Sequence, residues 1–334
     1  MALEPVAVRI KLDTVACYHS GELGSAEPYM WTAFFKIDGD TVSVDDTLTL
    51  QGTATVFGSL GDHGDLGPGG VNDGDTVSIP AGLGDWSTTV TPIPVPSLST
   101  SVAGVVGCVV VLLEQDDTSD EAVAAGHAAL NEALQSALDD LIPTLNINHQ
   151  SPTDADIQAL TDKVGAQVQD AISNNVSVWD WLTAFGNMDD KIGTAVFYQS
   201  QTALCRAPVW GFALDQLWED SGEWRLSGHM GAVIDELEVS CIHKPEGRDD
   251  AHHIDTLGGT VFGVDWRLSN MEVIRAIQGG FPFFVTGGDG SRSQLVVEKH
   301  WISTENPTGL FLATTRDASK ADNLLSLPTC GPLS

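Results

Sequence analysis

Positive charge is what this sequence has least of. Fifteen Lys and Arg stand against 46 Asp and Glu, a formal net charge of −31 over 334 residues. From Ile37 to Asp162 there is no Lys or Arg at all, while 20 acids fall in the same stretch. Phosphate backbones are held by Lys and Arg, so nucleic acid is excluded as a partner. A bare anionic membrane is repelled for the same reason. Three uses of the acids remain: coordinating cations, solvating the chain in high salt, or keeping it soluble.

Cysteine is also scarce. The five residues, Cys17, Cys108, Cys205, Cys241 and Cys330, are far apart and form no CxxC pair. That pattern excludes a zinc ribbon and is read as reduced thiols. Cys17 and Cys108 sit in apolar strand-like contexts and are expected to be small core residues. No apolar run reaches 18 residues, so no transmembrane segment is expected; the longest, "VAGVVGCVVVLL" (102–113), has the length of a strand. "MALEPVAVRIKLDTVACYHS" has neither an apolar leader core nor a cleavage site. The expected location is therefore cytoplasmic, or outside the cell by a route without a Sec signal. GxSxG, HExxH and P-loop motifs are missing, and no dinucleotide fingerprint stands in its context. The chain is accordingly read as a binding protein rather than an enzyme.

What is present divides the chain. Apolar residues make up 42%, enough for a packed core, and 34 Gly supply turns. Residues 5 to 114 read as seven or eight short strands: "VAVRIKLDTVAC" alternates over most of its length, "YMWTAFFKI" is aromatic-rich, and "GVVGCVVVLLE" closes the series. Turn clusters between them give the pattern of an antiparallel β-sandwich. From 118 the period changes. Val123, His127, Leu130, Leu134, Ala137 and Leu141 form one apolar seam on a helix of about six turns. A second helix is expected from Ser151-Pro152 with Ile157, Leu160, Val164, Val168 and Ile172 inward, making a helical hairpin. Residues 192 to 242 return to β. A compact unit follows, with a short helix closed by Gly279-Gly280 and a strand–turn–strand around "GGDGSR". The expected class is α+β. Its parts are a sandwich over 1–117 and a helical hairpin over 118–190, either inserted in the sandwich or separate. A β segment over 191–250 completes the sandwich or links onward, and a small α+β unit spans 251–334.

Acids concentrate where strands end. "VVVLLEQDDTSDEAVAAGH" carries Glu114, Asp116, Asp117, Asp120 and Glu121 within eight positions. Thr118 and Glu121 have the spacing of a capping box, and Asp120 and Glu121 suit the positive end of a helix dipole. Glu114, Asp116 and Asp117 are left for another purpose. Glu22 and Glu27 in the first long loop, and Asp62, Asp65, Asp73 and Asp75 in the second, are the other candidates. Calcium takes six to eight oxygens from loops that converge, and loops at one end of a sandwich do approach each other. Glu22, Glu27, Asp62, Asp65, Glu114, Asp116 and Asp117 are thus the candidate metal ligands, with calcium as the expected cation.

Other clusters are read more plainly. Asp62, His63 and Asp65 suit zinc by type, but a lone short cluster amid glycines reads as a flexible acidic surface loop. "RDDAHHID" offers Asp249, Asp250, His252, His253 and Asp255, and reads as a solvated linker. His127 on the buried seam is expected to be a hydrogen-bonded core or boundary residue. The nine Trp are expected mainly in the core, although aromatics also serve sugar and lipid interfaces.

Two resemblances add to this reading. "WRLSNMEVIRAIQGG", "FFVTGGDGSRSQLVVE" and "FLATTRDASKADNLLSLPTC" resemble the bacterial family catalogued as domain of unknown function 3892. The likeness covers residues 254–330 and includes Thr315, Asp322, Asn323, Leu324, Leu325, Leu327 and Pro328. It implies a module without assigning it any chemistry. "AEPYMWTAFFKI" and "VVVLLEQDD" are similar to segments of C2 domains, β-sandwiches that bind calcium between loops and dock on lipid. Glu27 stands where that family has Asp, and Asp116 and Asp117 are adjacent where the family spaces an Asp-x-Asp pair. The resemblance implies a calcium-assisted adaptor, its cation bridging an acidic face to a lipid or protein surface. Two alternatives stand beside it: a structural, cargo or effector component of a larger assembly or secretion system, and a hydrolase with an acidic site.

Overall fold

The structure, a computed structural model, describes residues 2–21, 24–59, 61, 63–66, 70–116, 119–147, 190–245, 254–288, 290–299, 309–315 and 324–332. The expected second helix, from residue 151, lies outside them. The chain forms two compact units. The first comprises Ala2–Leu204 and Gly211–Gly231, the second Cys205–Trp210 and Ala232–Ser334. Antiparallel pairing dominates both, with few helices.

In the first unit the strands are β1 (Val6–His19), β2 (Pro28–Ile37), β3 (Val42–Val44), β4 (Leu50–Gly52), β5 (Thr55–Gly58) and β6 (Thr76–Ser78). After a single helical turn, α1 (Ala81–Gly84), come β7 (Asp85–Val90), β8 (Ile93–Val95), β9 (Thr100–Val102) and β10 (Val105–Glu114). Helix α2 (Asp120–Leu141) precedes β11 (Asp190–Ser200), α3 (Gln201–Arg206), β12 (Phe212–Trp218) and β13 (Glu223–Ala232). One sheet has the order β11-β10-β2-β5. The other runs β12-β13-β1, with β7 beside Val6–Lys11 of β1 and β6 beside Thr14–Ala16. Residues 190–231 thus add strands to both sheets of this unit.

The two sheets lie face to face, and α2 covers the far side of the β10-β2 sheet. Strand β2 makes the arrangement visible. Tyr29, Trp31, Ala33, Phe35 and Ile37 share a core with Val123, Leu130, Leu134 and Leu138 of α2. On the other side Phe34 stacks on Trp86 of β7 at 5.3 Å. Trp218 of β12 donates its indole N–H to the Thr194 carbonyl of β11 at 3.0 Å. Strands β2 and β10 are therefore buried at all ten positions each. That is why "VVGCVVVLLE" reads as an unbroken apolar run: period 2 vanishes when both faces are covered. Strand β1 has one face in water and alternates. The alternation slips at Asp13–Thr14, where its partner changes from β7 to β6.

The seam of α2 departs from expectation in its last turns. Leu138 and Ile142 are buried, and Ala137 and Leu141 are only half-buried. The expected 4-3-4-3 spacing is a 3.5-residue repeat, whereas a straight helix turns every 3.6 residues, so the buried stripe drifts. The helix start is also one residue later than expected. Ser119, not Thr118, is the N-cap, and its hydroxyl accepts the Ala122 amide at 3.3 Å. Glu121 falls at the second position, where a capping box cannot close, but it and Asp120 still sit in the first turn.

The second unit contains β14 (Leu237–Glu238), β15 (Cys241–His243), β16 (Thr256–Val261), β17 (Val264–Ser269), α4 (Asn270–Gln278), β18 (Phe283–Thr286), β19 (Arg292–Lys299) and β20 (Leu310–Thr314). Strands β15-β16-β17 form one sheet and β14-β18-β19-β20 another, with β14 parallel to β18. The chain passes between them at Val239 and Ser240, whose amides donate to Phe284 and Gly258. The backbones come so close that a Cβ on Gly259 would lie 2.1 Å from the Glu238 carbonyl oxygen. Ser269 and Glu272 close a capping box on α4, and Gly279 and Gly280 end it. Trp266, Phe283, Leu257, Val273 and Leu312 lie in its core.

The cysteines correct the sequence reading. Cys241 and Cys330 form a disulfide across 89 residues. It ties the C-terminal segment to β15, where Ile242 donates to Pro328 and Cys330 donates to Ile242. No spacing announced it, because the pair is local only once the segment has returned to β15. Cys17, Cys108 and Cys205 are free and buried. Burial pushes Cys17 up to about 11, helped by Asp73 and Asp75, and Cys205 up to about 12.

Candidate functional site

Strand β2 begins with Pro28, which has no N–H to give the β10 ladder opposite Glu114. Carboxylates bind the backbone amides on either side of it. Glu114 is buried, at 8% exposure, and its Oε1 accepts the Glu27 amide at 3.3 Å. The Glu27 carbonyl in turn accepts the Gln115 amide at 3.0 Å. Asp65 Oδ1 accepts the Met30 amide at 3.1 Å. Ala26 and Val71 exchange two backbone hydrogen bonds and bring the second long loop alongside. The segments carrying Asp65 and Glu114 are thus hydrogen-bonded to the backbone at the start of β2.

Their neighbours are histidines and aromatics. His63 Nδ1 lies 2.9 Å from Asp120 at the first position of α2, and its ring meets Tyr29 edge-on at 4.9 Å. His127 is buried and stacks parallel on Trp31 at 5.7 Å. Gly126 makes room for that indole, since a Cβ there would lie 2.6 Å from Trp31 Cη2.

The remaining candidates separate. Asp116 is exposed beyond the end of β10. Glu22, Asp62 and Asp117 lie outside the described residues. Asp73 accepts the Ser20 amide at 2.7 Å and pairs with His19 at 3.0 Å. The His19 hydrogen bond, then the Ser20 amide, hold it below the usual carboxylate range. Asp75 caps Asn72. Of the candidate ligands in "RDDAHHID", Asp255 faces His243 at 2.8 Å, and Asp249, Asp250, His252 and His253 lie outside the described residues. "GGDGSR" is a hairpin turn closed by Gly287 donating to Ser291 at 2.7 Å. Asp65 and Glu114 each spend one oxygen on a backbone amide. Among the described residues no three His, Cys, Asp or Glu side chains are grouped so as to hold a metal ion.

No family model, curated protein or solved structure matches this chain. The likenesses to the 3892 family and to C2 domains rest on the quoted residues alone.

One constellation went unread in the sequence. Lys36 is buried near the end of β2, and its ammonium donates to Asp38 at 2.8 Å, Asp40 at 2.5 Å and the Thr89 carbonyl at 2.9 Å. Asp38, fully buried, also accepts the Thr91 amide at 2.9 Å. Burial by itself would lower the Lys36 ammonium, but hydrogen bonds to Asp38 and Asp40 outweigh it and raise it above its ordinary value. The signal was "KIDGD": the last base before the long acidic stretch, with acids two and four residues on.

Proposed function

We propose that this protein works by binding, and that the loop end around the start of β2 is its working surface. The observation carrying this reading is that two carboxylates from distant segments, Glu114 on the Glu27 amide and Asp65 on the Met30 amide, are held at the start of β2. Two sheets face to face with loops gathered at one end support the C2-like sandwich. The accompanying role is a calcium-assisted adaptor, in which the cation bridges the acidic end to a lipid headgroup or a protein surface. Calcium enters by drawing Asp65 and Glu114 from their backbone partners, with Asp116 supplying an exposed carboxylate. Such a site is weak, because the protein already uses those oxygens.

Calorimetric titration of metal-stripped protein with calcium, joined to a melting curve, tests this. The expected result is a binding heat and a rise in Tm, both lost in Asp65→Asn. Neither heat nor shift in the wild type overturns the calcium step. Among the described residues no helix is long and apolar enough to cross a membrane.

A further inference from the structure

We infer that the outward face of the β12-β13-β1-β7 sheet is where two copies of this chain meet. Bases are rare in the molecule, yet three of the five described in the first unit, Arg9, Lys11 and Arg225, point outward from this sheet. Each stands beside a carboxylate of the same face. Arg9 pairs with Asp85, Lys11 with Asp13 at 2.7 Å, and Arg225 grips Asp215 through two bonds of 2.7 Å. His229 adds a further contact to Asp13 at 3.1 Å. With Glu223 at its rim the face is close to neutral, in a chain of net charge −31.

That contrast selects the partner. Two copies approaching through acidic surface repel each other, and the repulsion is long-ranged at low salt. The balanced face removes this penalty. It also carries Arg–Asp pairs at both ends, one across β1 and β7 and one across β12 and β13. A two-fold axis through the face sets Arg225 and Asp215 of one copy against Asp85 and Arg9 of the other, twice over, as an isologous contact requires. Tyr18 and Leu217, 48% and 43% exposed, lie on either side of Arg225 and supply the aromatic and apolar anchors that interface centres favour.

Sedimentation velocity and light scattering on the full chain test the proposal. The expected species is a dimer with a Kd on the order of 1–10 µM. Exchanging one pair, Asp215→Arg with Arg225→Asp, keeps the bond within the copy but sets like charges against each other between copies. It is expected to weaken dimerisation at least about tenfold. Exchanging the second pair as well, Arg9→Asp with Asp85→Arg, restores the complement and the dimer. Circular dichroism confirms that each variant is folded. A monomeric wild type at about 100 µM, tens of times that Kd, overturns the inference. So does a dimer indifferent to the first exchange, which would place the contact on another surface.

Discussion

In the first unit β2 and β10 are covered on both faces, by α2 on one side and a second sheet on the other, and every position is buried. In the second unit no described strand is buried throughout, and a disulfide draws the C-terminal segment onto β15. The difference is one of scale. A layered core removes enough apolar surface to hold a fold and still tolerate the buried Lys36–Asp38 pair. A smaller core excludes less, and a cross-link that restricts the unfolded chain makes up the deficit. The two units should therefore respond to different insults.

The largest expected effect is on the second unit. Replacing Cys241 and Cys330 together by Ser releases a loop of 89 residues and should cost about 4 kcal/mol. Urea unfolding followed by tryptophan fluorescence should show one transition moved to lower denaturant and the other unchanged. Reductant on the wild type should reproduce that shift. Two transitions moving together would erase the contrast between the units.

Lys36→Met is the corresponding insult to the first unit. It leaves Asp38 buried without its counter-charge and should cost about 3 kcal/mol, in that unit alone. The same group sets a pH window. The raised Lys36 contributes stability that is whole below its ordinary 10.5 and is lost as pH rises through its higher folded value. Asp40 is held low, first by the Lys36 hydrogen bond, so its contribution is whole above 3.8 and lost as pH falls through its lower folded value. Melting temperatures measured across pH should fall off on both sides in the wild type. In Lys36→Met the alkaline fall should flatten.

Gly126→Val tests the seating of α2. The new side chain meets the fully buried Trp31, and the expected loss is about 2 kcal/mol. A stability unchanged by this substitution would mean that Trp31 is not the wall of the core. The smallest contrast is between caps. Ser269→Ala breaks a reciprocal capping box on α4 and Ser119→Ala a single bond on α2. Both should cost about 1 kcal/mol, the former more. Equal losses would remove any advantage of the box.

Much of the fold was legible because it is local. Helix α4 with its glycine stop, the hairpin at Gly287–Ser291, and the apolar stripe through Val123, His127, Leu130 and Leu134 depend on residues within a few positions of one another. The strand ends with their acids were legible too. What those acids do was not. Asp65 and Glu114 are spent on the amides of Met30 and Glu27, 35 and 87 residues away. The helix start was misplaced by one residue because Thr118 and Ser119 are adjacent cap-forming residues, of which Ser is the better N-cap.

The sequence by itself determined the α+β character, the scarcity of bases, and the periods that mark each element, since charge and periodicity are properties of the chain. Only the tertiary structure decided that Cys241 finds Cys330, that the Lys36 ammonium reaches the Thr89 carbonyl, and that Arg9, Lys11 and Arg225 share one sheet. Those outcomes depend on which distant segments share a sheet. Strand pairing is set by burial of whole faces, which no window of neighbouring residues contains.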